Sequence, residues 1–234
     1  MDIKIRQSEP SMNKAIYLDI GNSNTKWKSN NQYSQVKTTE FSFSILPDAK
    51  KIWVSNVSQK VKDINQENIF YVKSFEKYKS LINGYQVPNS LGVDRWLAMI
   101  ASYEQNPHKG LLIIDIGSAV TIDIVLRSGI HLGGEIFPGL DKIRKTFPNF
   151  PVVDCSNNNE LGKNTHEAWS LGTYRMLVNA INQRVDHLSQ AIPEVKILVT
   201  GGGYHLLQPL LNFPHKYYEN LVLDGLAYYA KYVG

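Results

Sequence analysis

Two matched segments constrain this chain more than any other feature. Residues 18–27 read LDIGNSNTKW and residues 114–123 read IDIGSAVTID, 96 positions later. Each places an Asp at the end of an apolar run, Asp19 after AIYL and Asp115 after LLII. Each then has Gly two positions on, a small polar residue three on (Asn22, Ser118) and Thr six on (Thr25, Thr121). An apolar strand, an acid, a glycine turn and hydroxyls let a backbone approach phosphate oxygens and a hydrated Mg²⁺. Glycine removes the Cβ that would block the approach, and the carboxylate holds the cation. Two such turns imply two related halves closing on one nucleotide.

Composition fits this reading. The 234 residues are enough for two units of about 100–120 residues, and 43% of them are hydrophobic, enough for a sizeable core. The net charge of +4 is scattered, with no run of five Lys or Arg, so a nucleic-acid footprint is missing from the sequence. Cys155 is the single cysteine, which leaves no internal disulfide and no cysteine-cluster metal site. The six His residues are dispersed, without an H-x-x-x-H pair. The polar opening MDIKIRQSEPSMNK lacks the apolar stretch of a signal peptide. The longest apolar runs have strand length, not membrane length. The expectation is a soluble cytoplasmic protein that engages neither nucleic acid nor membrane. Residues 1–13 are expected to be a flexible extension, with Met12 an alternative start.

Along the chain, strands are expected at 15–20, at 25–28 as a returning hairpin strand, at 51–57 and at 69–74. After Asp94, apolar residues at 96, 97, 99, 100 and 103 have helical spacing. The breaker cluster Asn106-Pro107-His108-Lys109-Gly110 divides the chain into 14–109 and 110–234. Beyond it, strands are expected at 110–117, 119–129 and 130–139, then a polar loop from Asp154 to Asn164. A long helix follows, carrying Leu171, Tyr174, Val178, Ile181, Val185 and Leu188 on one face. A buried strand at 195–203 and an apolar helix at 221–233 close the chain. Strands followed by helices, twice over, predict an α/β protein of two ribonuclease-H-like halves.

Neither G-x-x-x-x-G-K-[ST] nor a strand-linked G-x-G-x-x-G occurs, which argues against P-loop and dinucleotide-binding folds. Lys26 reads either as a solvated hairpin lysine or as a cation beside a β- or γ-phosphate. In Gly92-Val93-Asp94-Arg95, Asp94 reads as a helix N-cap and Arg95 as an ordinary first-turn residue. The chemical reading has Gly92 admitting a ligand, Asp94 taking a proton from a hydroxyl and Arg95 pairing with an anion. Tyr85 covers core or lines a site. Gly201-Gly202-Gly203 is a tight turn or a bare surface for an adenine. His131, His187 and His205 lack partner spacing and receive no role.

Together these pieces resemble the type III pantothenate kinases, members of the acetate and sugar kinase/Hsp70/actin superfamily. The family's D-x-G-N-T/S-x-x-K motif matches Asp19 to Lys26. Its N-G-Y-x-x-P-x-x-L-G-x-D-R-W stretch matches Asn83 to Trp96, and its D-x-G-T-A-x-T-x-D motif resembles Asp115 to Asp123. The G-G-x-I-x-P-G turn is Gly133 to Gly139, a T-G-G segment lies at Thr200–Gly202, and L-x-L-D-G-L ends the series at Leu221–Leu226. The resemblance spans residues 15 to about 230.

The resemblance implies an actin-like ATPase architecture, with a nucleotide cleft between two domains, and phosphorylation of pantothenate by Mg-ATP. Asp19, Ile20, Gly21, Asn22, Ser23, Asn24, Thr25, Lys26 and Ser118 would bind ATP, with Asp19 organising Mg²⁺. Asp94 would accept the proton of the substrate hydroxyl. Tyr85, Gly92, Val93, Asp94, Arg95 and Thr165 would line the pantothenate site, and Asp115 would ligate K⁺ or NH₄⁺. The family works as homodimers with pantothenate at the subunit interface, so Thr165 would serve the neighbouring chain. Ser118 replaces the family's usual Thr, and Asn164 stands where Ser or Thr is usual. Some relatives, the Bvg accessory factors, are described as transcriptional regulators, which is the alternative reading.

Overall fold

Ten of the strands form two sheets of the same strand order. The computed structural model describes residues 15–154, 160–192 and 194–234; the expected extension over 1–13 and Cys155 lie outside them. The first sheet is built from β1 (Ile16–Ile20), β2 (Asn24–Ser29), β3 (Gln32–Lys37), β4 (Ile52–Asn56) and β5 (Ile69–Tyr71) in the order β3-β2-β1-β4-β5. Two short strands, β6 (Lys77–Tyr78) and β7 (Leu81–Ile82), pair separately before helix α1 (Val93–Gln105). The second sheet contains β8 (Leu111–Ile116), β9 (Ala119–Val125), β10 (His131–Pro138), β11 (Lys196–Thr200) and β12 (Lys216–Tyr217), ordered β10-β9-β8-β11-β12. Helices α2 (Leu140–Arg144) and α3 (Thr165–Ala191) lie between β10 and β11, α4 (Tyr204–Leu207) follows β11, and α5 (Leu221–Val233) closes the chain.

In each sheet the first strand pairs antiparallel with the hairpin strand after it and parallel with the strand that follows the crossover. The crossovers differ. In the second half the 27-residue α3 provides it. In the first half, two 3₁₀ turns at Thr38–Glu40 and Phe43–Ile45 take its place. The expected repetition of strands followed by helices therefore holds for the sheets and not for the crossovers.

Strand alternation decides what each sheet presents on its two faces. In β1, Ile16, Leu18 and Ile20 are fully buried in one core with Trp27, Val54 and Ile69, and Phe41, Phe43 and Leu46 cover it. Tyr17 and Asp19 face the other way. In β8, Leu112, Ile114 and Ile116 pack beneath α3 with Val178, Ile181 and Val185. Leu111 and Ile113 enter a third core with Trp96, Leu97, Met99 and Ile100 of α1 and with Leu223 and Leu226 of α5. The two helices thus fill the space between the sheets.

Helix α1 is apolar nearly all round, as a central helix must be, and its residues Trp96, Leu97, Met99, Ile100 and Ala101 are fully buried. Each large side chain among them contributes about 1.5–3 kcal/mol. The helix stops where the Asn106 side chain donates to the Ser102 carbonyl and Pro107 cannot continue the hydrogen-bond ladder. Its contact with α5 is close because of Gly225, where an added Cβ would collide with the Leu97 carbonyl oxygen. Gly225→Ala is therefore expected to destabilise the protein by about 2 kcal/mol, despite alanine's better helix propensity. Thermal unfolding should register a Tm several degrees lower; an unchanged or higher Tm would show that the helices part without cost.

Candidate functional site

The alternation that buries Leu111 and Ile113 carries Asp115 to the same face of β8, and the alternation in β1 does the same for Asp19. Both acids stand at strand ends on the faces that look toward α1. The first turn of α1 carries Asp94, and all three carboxylates line one cleft. Gly21, Asn22, Ser23, Asn24, Lys26 and Ser118 line it too, with Gly117, Thr121, Thr200, Gly201, Gly202 and the start of α5. The two glycine turns meet: Ser23 Oγ and Ser118 Oγ share a hydrogen bond of 2.8 Å across 95 positions of sequence.

The turns are tightly built. A Cβ on Gly201, whose φ is +99°, would strike Asp115 Oδ1 and the Ile116 carbonyl, while Gly202 has open space around it on the cleft wall. The glycine triplet thus combines a tight turn with a bare surface. Buried Thr38 donates to the Gly21 carbonyl at 2.7 Å. Its single hydroxyl proton is then used, so Thr25 is the donor in their 3.1 Å contact.

Not every expected residue reaches the cleft. Ile20 and Thr25 are opposite each other in the β1–β2 register, and both are fully buried. Val93 is buried in the core between the sheets. Thr165 is exposed in the first turn of α3 and does not line the cleft. Asn164 is that helix's N-cap: its side chain accepts from Glu167 N at 3.0 Å, and Glu167 Oε2 accepts from Lys163 N at 2.9 Å. Asn is among the strongest N-cap residues, so the start of α3 is capped. The N-cap of α1 is Gly92, not Asp94; Asp94 Oδ1 accepts from Arg95 N at 2.8 Å.

Arg95 does not point a free charge at the cleft. It makes a bidentate pair with Asp123, Nε to Oδ2 at 2.8 Å and Nη2 to Oδ1 at 2.6 Å, and its Nη1 donates to the Tyr85 hydroxyl at 2.7 Å. Burial opposes its charge, but the hydrogen bonds and charge of Asp123 outweigh it and hold the guanidinium above its ordinary value. His131, which carries no spacing signal, donates from Nε2 to the same Asp123 Oδ1 at 3.0 Å. Ser55 and Lys60 also escape sequence reading. Ser55 donates to Asp19 Oδ1 at 2.9 Å, and Lys60 Nζ donates to the Asn22 carbonyl at 2.7 Å. The register β1–β4 would have revealed Ser55, which sits beside Asp19; nothing in the sequence signals Lys60.

Three acids facing one lysine carry uncompensated negative charge. Asp19 is pushed up to about 7, first by burial and next by Asp94, against the Ser55 hydrogen bond. Asp115 is pushed up to about 7 as well, by burial and then Asp94, with Lys26 opposing. Asp94 is raised chiefly by burial. Among the described residues no three His, Cys, Asp or Glu side chains gather as a metal-ligand set. The donor set suits a cation held by one or two carboxylates and completed by phosphate oxygens and water, as Mg²⁺ is commonly bound.

The type III pantothenate kinase family model matches residues 43–187. A type III pantothenate kinase of Hahella chejuensis is 35% identical over 245 aligned positions, covering 94% of this chain and 98% of that protein. The chain belongs to the type III pantothenate kinase family. One solved structure, described as a Baf family transcriptional activator from Campylobacter jejuni, is similar with a TM-score of 0.60 at 24% identity, over 93% of this chain and 96% of that one. Another, described as a 2-dehydro-3-deoxygalactonokinase from Sinorhizobium meliloti, has a TM-score of 0.56 at 9% identity, over 94% and 99%. At these identities the structures speak for the α/β fold alone. Among the described residues no helix is long and apolar enough to cross a membrane.

Carboxylates with raised values bind protons in the folded state that they release when unfolded, so stability from them is lost as pH rises through about 7. In EDTA the protein is therefore expected to be less stable at pH 8 than at pH 6, by on the order of 1 kcal/mol per acid. Adding Mg²⁺ at pH 8 should recover part of the difference. A melting temperature that rises from pH 6 to pH 8 in EDTA would contradict the crowding of charge.

Proposed function

We propose that this chain transfers the γ-phosphate of ATP to pantothenate, giving 4′-phosphopantothenate, the first step of coenzyme A biosynthesis. Membership of the type III pantothenate kinase family supports the reaction. The observation that carries the mechanism is Asp94, half-buried at a helix start between the two glycine turns, with a raised affinity for protons. Residues 14–109 and 110–234 are read as two domains with the nucleotide in the cleft between them.

Phosphoryl transfer asks mainly for positioning and charge neutralisation. The main chain of Gly21 to Asn24, the Ser118 turn and Lys26 would hold the phosphates. Mg²⁺ held by Asp19 and K⁺ or NH₄⁺ held by Asp115 would, when bound, supply the positive charge that the triphosphate requires. Asp94 takes the hydroxyl proton on its carboxylate, which the Arg95 N–H holds in place through Oδ1. Tyr85, Gly92 and Arg95 would bound the pantothenate site. Ile20, Thr25 and Val93 contribute from the core, by holding the turn and helix start that carry the reacting groups. Thr165, exposed and away from the cleft, fits a role in the neighbouring subunit of a homodimer. A cytoplasmic location goes with this metabolic role. The regulator reading is not favoured, since curated relatives are named as kinases and Asp19, Asp94 and Asp115 converge on one cleft.

ADP release from Mg-ATP, measured with and without pantothenate in potassium and in sodium buffer, tests the reading. Pantothenate-dependent turnover that requires K⁺ is expected, whereas folded protein without turnover in either buffer would overturn it. Asp94→Asn should lower kcat by at least about 10²-fold while ATP binding persists. Near-normal turnover in that variant would remove Asp94 from the role of base.

A further inference from the structure

Two glycine-containing motifs, Asn83-Gly84-Tyr85 and Gly133-Gly134, meet where neither supplies a reacting group. A Cβ on Gly84 would collide with the His131 carbonyl, and one on Gly134 would strike Asp123 Oδ1 and Arg95 Nη2. The absence of side chains there lets the Tyr85 loop, the start of α1 and the β9–β10 hairpin close on Asp123. Asp123 and His131 are about 2% and 1% exposed.

The hydrogen-bond inventory leaves little freedom. Gly84 N–H donates to His131 Nδ1 at 3.3 Å, so the ring proton is on Nε2, directed at Asp123 Oδ1. Asp123 therefore receives three hydrogen bonds, two from Arg95 and one from His131. Asn83 Oδ1 accepts from Tyr85 N at 3.0 Å, and the Tyr85 ring stacks on His131 with centroids 5.9 Å apart and planes 13° apart. Three of the five Arg95 N–H groups are engaged. The other two, one on each terminal nitrogen, have no protein acceptor among the described residues, and neither has the Tyr85 hydroxyl proton. Donors without acceptors, on a guanidinium whose plane is locked, suit an anionic acceptor group.

We infer that Asp123 and His131 are a positioning pair that sets the plane of Arg95 and the place of Tyr85, and so selects an acceptor substrate with a carboxylate. The inference rests on pantothenate as the acceptor. Asp123 orients the guanidinium and leaves two of its N–H groups without a protein acceptor among the described residues. His131 holds Asp123 with one nitrogen and the Tyr85 loop with the other. Neither touches the reacting atoms.

Steady-state kinetics with pantothenate, and with the analogue whose carboxylate is replaced by CH₂OH, test the pair. Asp123→Asn puts an amide N–H against donors and removes the charge. It should raise KM for pantothenate by about 10–100-fold, leave KM for ATP unchanged, and reduce the preference for pantothenate over the alcohol at least about tenfold. His131→Leu should move the preference in the same direction, and His131→Gln, which retains an N–H for Asp123, should restore most of it. A merely structural role would shift both acceptors equally. An unchanged preference in folded Asp123→Asn or His131→Leu overturns the inference, and so does a joint shift of kcat and both KM values. If Asp123→Asn does not fold, the two His131 variants decide. Wild-type protein that ignores pantothenate would sink the kinase reading and this inference together; active wild type with unchanged preferences sinks only the inference.

Discussion

A helix that is buried nearly all round has to be covered nearly all round, and the rest of this structure is arranged around that demand. Helix α1 is shielded by the first sheet, the second sheet and α5, so the sheets cannot close on each other directly. Because α1 begins at the strand ends, its first turn faces the turns that follow β1 and β8. Period-two alternation does the remainder: the strand faces that meet α1 are those carrying Asp19 and Asp115. The cleft is thus a consequence of how the core is layered.

The layering creates an electrostatic problem that defines the site. Asp19, Asp94 and Asp115 are crowded into partly desolvated space with Lys26, and Arg95, next in sequence to Asp94, is committed to Asp123. Two of the acids hold protons near neutrality as a result. Such a site is poorly suited to empty solvent and well suited to cations that arrive with a triphosphate. The bidentate Arg95–Asp123 pair spends the nearest strong positive charge inside the protein, which leaves directional N–H groups rather than net charge for a ligand.

The strands that bury one face were legible from their patterns, as were α1, α3 and α5. Polar β3 and the two-residue strands β6, β7 and β12 were not, because an exposed or very short strand carries no hydrophobic period. Ile20, expected to bind ATP, turns inward because it alternates in step with Ile16 and Leu18. The inward orientation of Thr25 followed only from the hairpin register opposite Ile20. His131 had no local partner because its partners, Asp123 and Gly84, come from a neighbouring strand and a distant loop.

By itself the sequence determined the repeated strand–acid–glycine units, the family, and the identity of the acids at the two turns, since these are local patterns of polarity and backbone freedom. Tertiary structure decided which groups meet. It brought Ser23 to Ser118, gave Arg95 to Asp123, gave His131 a partner and left Thr165 outside the cleft. Hydrogen bonds and charge pairs act over a few ångströms of space, and spacing along a chain does not encode that distance until the sheets and the helices between them have packed.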